Sequence, residues 1–438
     1  MTISPMFSAL LRRLSQRILI LAGSAIVGFA PINAAEPEPG QSCQGLDCPS
    51  SISAASQFNR DHYNPAVVHI RFTDLDGKTE TDRKTETDRF DAFLDLTLIN
   101  ASGDVEGIRV ELSSQNFKKQ LRSLYRQLSR QESLQTDDPS SPSRQLHDLF
   151  FGALTPFLVE QQITTLLIAA DRGLQAVPFA ALHDGKSFFG VRYAFSITPS
   201  LALTDFSVSG QPGRRLLAFG ASQFKDLASL PLVPQEISGI GSSARKDQFL
   251  NQDFTPSRLL EKASESTYNQ LHVATHAEFR PGGPKESRLH SGTGPISMDA
   301  LARLRNQREG VPLDLVVFSA CRTALGDEKA ELGFSGLALQ AGARSAIGTL
   351  WYVDDVATSA YFVQMYRYLE QGIPKAEAMK MTRQAFVQGL VRVVDDQVIG
   401  AKGAPLLSEL TPSQQRRFKA GVSNPFYWSG IELMGTPW

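Results

Sequence analysis

Leu271-His272-Val273-Ala274-Thr275-His276 and Leu315-Val316-Val317-Phe318-Ser319-Ala320-Cys321 are the stretches on which the fold turns. Each is a short apolar run that closes on one chemically competent side chain, and such runs read as buried strands. In open α/β sheets the carboxyl edge of the strands is where loops gather and ligands bind. An imidazole and a thiol on neighbouring strand ends can come within hydrogen-bond distance. The base then turns a thiol of pKa ~8.5 into a usable nucleophile.

Outward from these runs the chain alternates strands with helices. Short strands are expected at 66–72, 93–99, 165–170, 193–197, 215–219, 272–275, 314–318, 345–350 and 430–434. Helical spacing covers 117–130, 146–159, 234–241, 256–264, 298–307 and 335–342, with amphipathic helices at 361–370 and 375–389. Thr255 followed by Pro256 is an N-cap and first-turn signal. This order predicts an α/β protein with a mostly parallel central sheet and helices on both faces, a three-layer sandwich. A small β-rich extension (61–119) precedes it. Within that extension Lys78–Arg83 is repeated as Lys84–Arg89, which reads as an expanded solvent loop. No period of 30–50 residues marks a solenoid.

With 438 residues, 42% of them hydrophobic, and a net charge of −1, the chain can bury one large core or two modest ones. No Lys/Arg block and no aromatic-basic interleaving occurs, which argues against a nucleic-acid partner. The first 35 residues are different. Arg12, Arg13 and Arg17 precede the largely apolar run Ile18–Ala30, and Asn33-Ala34-Ala35 ends in small residues. That order predicts a signal peptide and export to a periplasmic or extracellular space. The run is short for a membrane span of ~20 residues. No stable span is expected unless the segment stays uncleaved, an alternative that the lack of a clean A-x-A site leaves open. Residues 36–60 read as a flexible linker.

The three cysteines fit export. Cys43 and Cys48 are close enough to pair as a local disulfide, which leaves Cys321 as the odd, free thiol. No second ligand pair lies near Cys43 and Cys48, so no metal is expected. Neither a P-loop nor H-E-x-x-H is present, and Gly333-Phe334-Ser335-Gly336 lacks the spacing of G-x-S-x-G. No cofactor is expected.

Several further motifs occur in a fixed order: Pro178-Phe179-Ala180-Ala181-Leu182, Pro199-Ser200, Thr275-His276, Ser319-Ala320-Cys321-Arg322-Thr323 and Ala341-Gly342-Ala343-Arg344-Ser345. Leu350-Trp351 with Asp354-Asp355, and Asn424-Pro425-Phe426-Tyr427-Trp428, complete the set. In this order they resemble the CHAT family, a branch of the caspase-like (clan CD) cysteine peptidases related to the separase protease domain. The resemblance covers residues 120–438. The 45-residue spacing of His276 and Cys321 also suits a caspase-type site. The resemblance implies a caspase-like fold and a cysteine endopeptidase acting on a protein or peptide substrate. It implies Cys321 as nucleophile, His276 as general base and acid, and the backbone N–H groups of Ala277 and Cys321 as oxyanion donors. Ala277 stands where the family commonly has Gly, which matters if the backbone there needs a positive φ. Asp355 is implied as the carboxylate that reads a basic P1 side chain. The competing reading is that Asp354 or Asp355 N-caps the helix that follows. His272, in mid-strand, reads as a hydrogen-bonded core histidine. A catalytically silent interaction module with the same fold is the alternative to an enzyme.

Overall fold

A computed structural model describes residues 64–75, 90–171, 173–198, 201, 204, 215–278, 287–320, 333–351, 354–419 and 421–438. The signal-like segment, Cys43, Cys48, the duplicated hexapeptide, Pro199-Ser200 and Cys321 lie outside the described residues.

Three strands open the described chain: β1 (Pro65–Asp74), β2 (Ala92–Asn100) and β3 (Val105–Leu112). Next come β4 (Thr165–Ala170), β5 (Ala194–Thr198), β6 (Leu216–Gly220), β7 (Lys246–Leu250) and β8 (Gln270–Ala274). A small sheet then forms from β9 (Ala277–Glu278), β10 (Arg288–His290) and β11 (Pro295–Ser297). β12 (Leu315–Ser319) and β13 (Ser345–Thr349) return to the main sheet. A second small sheet comprises β14 (Arg392–Val394), β15 (Gln397–Ile399) and β16 (Pro405–Leu407), before β17 (Ile431–Gly435).

The main sheet has eleven strands in the order β3-β2-β1-β4-β5-β17-β13-β12-β8-β6-β7. β1, β4, β5 and β17 run parallel to one another. β13, β12, β8, β6 and β7 form a second parallel block. The blocks meet head to tail at the antiparallel pair β13–β17. The β-rich extension joins this sheet directly, because Pro65–Ile70 pairs in register with Thr165–Ala170.

Both faces are covered, as near-continuous apolar strands require. Leu315 and Val317 of β12 pack into one cluster with Val356, Ala360 and Met379, while Val316 and Phe318 pack into another with Leu259 and Leu301. Alternate residues of one strand thus feed two cores, with helices Val233–Gly239, Asp355–Glu370 and Lys375–Val387 on one face and Pro256–Ser264 and Gly333–Gln340 on the other. The expected start of the helix at Pro256 holds: Thr255 Oγ1 accepts from the Arg258 N–H at 3.1 Å.

Some elements differ from expectation. The helix expected over 146–159 is broken: Pro142–His147 passes into a π-helical turn at Asp148–Gly152 before Thr155–Glu160. The turn lets Phe150 and Phe151 both enter the core, where Phe151 stacks on Phe189 with centroids 4.1 Å apart. Helix Asp355–Glu370 is buried nearly all round rather than amphipathic, since it is wedged between the sheet and its neighbours.

β17 also carries a buried acid. Neither carboxyl oxygen of Glu432 has a hydrogen-bond partner among the described residues. Burial pushes its pKa well above the ordinary carboxylate range, only partly offset by Arg383. The Arg383 guanidinium donates to the Ile431 carbonyl at 2.9 Å and sits 4.9 Å over the Phe195 ring. Glu432 therefore holds its proton when folded and releases it on unfolding. Stability falls as pH rises from the ordinary Glu range toward the folded pKa. Glu432→Gln removes that loss. Thermal melts should show the variant gaining on the native chain at about pH 8, with the gap closing toward about pH 4.5. A gap that does not change with pH would overturn the assignment.

Candidate active site

β8 and β12 pair in parallel with Ala274 opposite Ser319, and the Thr275 N–H donates to the Ser319 carbonyl at 3.2 Å. Thr275 and Ala320 therefore stand side by side at the carboxyl edge of the sheet, with His276 next in the chain. Thr349 Oγ1 donates to the Ala320 carbonyl at 2.8 Å, which fixes the last described residue before Cys321.

β6 lies on the other side of β8, and the chain leaves these two neighbours in opposite directions, toward β7 and toward β12. Such a switch point opens a crevice at the carboxyl ends. The loop after β6 crosses this crevice. Its Phe224 ring packs on His276, with centroids 4.8 Å apart. Its Ala228 carbonyl lies 2.8 Å from His276 Nε2. A carbonyl can only accept, so Nε2 carries the proton. The neutral ring then presents its lone pair, and hence its basicity, on Nδ1. Neither orienting group was legible in the sequence. A backbone carbonyl has no residue signature, and Phe224 belongs to no periodic pattern.

The residue after His276 keeps a usable donor. The His290 N–H donates to the His276 carbonyl at 3.0 Å, which makes that pair the hydrogen-bonded one. Ala277 faces Leu289 in the next, non-hydrogen-bonded position, so its N–H points away from β10. Ala277 is not among the positive-φ residues, so its methyl group brings no backbone strain.

Against His276 lies a cavity of about 60 Å³. Its walls include Leu230, Leu232 and Val233 from the segment after β6, and Ser319 and Ala320 from β12. Asp355, Thr358 and Ser359 close it from one face of helix Asp355–Glu370. The two aspartates take different places. Asp354 is the N-cap: Oδ1 accepts from the Val356 and Ala357 N–H groups at 3.0 and 3.1 Å. Burial raises its pKa, against the lowering effect of those bonds and of Arg417. Asp355 borders the cavity, and its Oδ1 lies 3.3 Å from Arg417 Nη2. Arg417 spans both acids, with Nη1 3.1 Å from Asp354 Oδ2.

His272 is fully buried, as a core histidine should be, with its ring edge-on to Phe362 and Tyr366. Its Nε2 lies 2.8 Å from Glu236 Oε1, and Ser359 Oγ donates to Glu236 Oε2 at 2.7 Å. Glu236 also lines the cavity. It was missed because a lone Glu in a short helix reads as surface. Among the described residues no cluster of His, Cys, Asp and Glu could hold a metal, and no helix is long and apolar enough to cross a membrane.

The class defined here is an α/β protein with a carbonyl-oriented histidine at the carboxyl edge of a parallel block. Residues 140–436 match the CHAT domain, and the chain belongs to that family. No curated protein matches it significantly in sequence. Among solved structures, the Saccharomyces cerevisiae separase–securin complex is similar at 12% identity and a TM-score of 0.49. That match covers 88% of this chain but 31% of the separase-complex chain. Gingipain R, titled an Arg-specific cysteine proteinase, is similar at 10% identity and a TM-score of 0.38, covering 66% of this chain and 68% of its own. The complex of pro- and mature domains of RgpB from Porphyromonas gingivalis gives 9% identity and a TM-score of 0.36, covering 74% of this chain and 77% of its own.

Asp354 is the N-cap and accepts from two helix N–H groups, whereas Asp355 shares only the Val356 N–H with it, at 3.0 Å, so their substitutions should differ. Asp354→Ala is expected to cost about 0.5–2 kcal/mol in denaturant unfolding. Asp355→Ala, which gives up one shared N–H bond and an exposed ion pair with Arg417, should cost less, about 0.5 kcal/mol. Equal costs would mean that Asp355 carries as much of the cap as Asp354 does.

Proposed function

We propose that this chain is a cysteine endopeptidase with Cys321 as nucleophile and His276 as general base and acid. The observation that carries the reading is the orientation of His276. Its Nε2 is committed to the Ala228 carbonyl, and its ring stands at the edge where the strand leading to Cys321 ends. In the reaction, the Cys321 thiol passes its proton to His276 Nδ1 and the sulfur attacks the scissile carbonyl carbon. The N–H groups of Cys321 and Ala277 stabilise the oxyanion. Collapse breaks the C–N bond, and the leaving amine takes the proton from His276. Water then attacks the thioester, gives its proton to His276, and releases the acid and the thiol.

The cavity beside His276 is the place for the P1 side chain, and Asp355 on its wall supports a preference for Arg or Lys. Peptides scanned at P1 should be cut after basic residues, with Asp355→Asn losing more on those than on apolar ones. Cys321→Ala and His276→Ala should each abolish cleavage, and the double variant should be little worse than either. Cleavage surviving in purified Cys321→Ala would end the peptidase reading. A native chain that cuts nothing would favour the silent interaction module.

Export rests on the N-terminal segment alone. If the chain is exported and processed, Cys43 and Cys48 pair and Cys321 stays free. Intact-mass alkylation without reductant should then add one label to the mature protein. Three labels would refute both the pairing and the oxidising location.

A further inference from the structure

We infer that Glu236 is a specificity-determining residue of this cavity, supplying a second carboxylate that favours a guanidinium over an ammonium head. The inference rests on reading the cavity as the P1 pocket, but not on Asp355 being its principal charge. Asp355 shares its carboxylate with Arg417, a resident cation, so part of its field is already neutralised. Glu236 is in a different position. It is 1% exposed, and its two oxygens are held by an imidazole and a hydroxyl, neither of them a permanent cation.

The bonding partners also define the geometry. His272 Nε2 at 2.8 Å on Oε1 and Ser359 Oγ at 2.7 Å on Oε2 fix the carboxylate plane from two elements, β8 and helix Asp355–Glu370. Each oxygen keeps a lone pair, and a rigid carboxylate suits the two parallel N–H bonds of a guanidinium better than the point charge of an ammonium. The rest of the wall includes Leu230, Leu232 and Val233, which strengthen the field of the charge by excluding water. At roughly 10–15 Å³ per water, about 60 Å³ has room for some five waters, or for the four heavy atoms of a guanidinium. A buried carboxylate with no permanent cation is costly to hold, and an arriving guanidinium is the partner that removes the cost.

The experiment compares the full chain with Glu236→Gln on peptides identical except for Arg, Lys or citrulline at P1. Citrulline keeps the shape of Arg and lacks its charge. The native chain should prefer Arg over Lys and Lys over citrulline. In Glu236→Gln, kcat/KM for Arg should fall roughly 30-fold or more, and the Arg-to-citrulline ratio should collapse. The rate at which iodoacetamide alkylates Cys321 should not change. An Arg-to-citrulline ratio kept within about threefold, at an unchanged alkylation rate, overturns the proposal. If Glu236→Gln does not fold, Ser359→Ala replaces it: a several-fold fall in the same ratio supports the role, and an unchanged ratio refutes it. A native chain that cuts none of the peptides fails the peptidase reading alone. Calorimetric titration with butylguanidinium then decides this proposal. Binding lost in Glu236→Gln supports it, and no binding or equal binding overturns it.

Discussion

In-register parallel pairing of β8 with β12 sets Ala274 opposite Ser319 and carries two chain segments over the same edge of the sheet. A slip of one residue would exchange the faces of every side chain on β8. His272 would then leave Glu236 for the opposite core, and Leu271 and Val273 would enter the space it now fills. Burial on both faces makes that exchange prohibitive: β8 alternates between two separate apolar clusters and has no solvent face on which to hide an error. The site inherits its precision from this constraint, because His276 is only two residues beyond the last paired position. The loop after β6 adds two further restraints, the Phe224 ring and the Ala228 carbonyl, and the carbonyl sets the tautomer as well as the ring position.

The two apolar runs were legible as strands because burial on both faces writes itself into composition. β4, β5, β6, β12 and β13 were readable on the same ground, and all are buried along their whole length. The elements missed are those without that signature. β3 (Val105–Leu112) and β7 (Lys246–Leu250) are the edges of the sheet, and their mixed polar sequences carry half-buried or exposed residues. An edge strand is held by backbone bonds to one neighbour, and backbone bonds leave no mark on residue identity. The same reason hides Ala228, whose contribution is a carbonyl oxygen.

The Asp354-Asp355 pair marks a different limit. Either carboxylate can cap a helix or face a pocket, and only the phase of helix Asp355–Glu370 assigns the two tasks. Once Asp354 is the cap, Asp355, Thr358 and Ser359 fall on one face at helical spacing, and that face turns to the cavity. Ser359 in turn reaches Glu236, so the wall of the cavity is bonded back to β8 through His272. Charge placement and backbone register thus belong to one connected set of contacts.

The head-to-tail junction of the two parallel blocks explains why the site is one-sided. At β13–β17 the direction of the sheet reverses, so the edge that presents the carboxyl ends of β6, β8 and β12 presents the amino ends of β4 and β5. The carboxyl ends of β4 and β5 lie at the opposite edge of the sheet from this crevice. Among the described residues, the walls of the cavity come from residues 230–359 and none from the first block. Elements beside the first block contribute packing. Tyr125, on helix Ser114–Ser129, meets the Trp351 ring edge-on at 6.0 Å, and Trp351 Nε1 donates to the Phe426 carbonyl at 3.1 Å. Trp351 itself follows β13, three residues before the capping Asp354. Packing from helix Ser114–Ser129 therefore braces the segment from which the cavity's acidic wall begins.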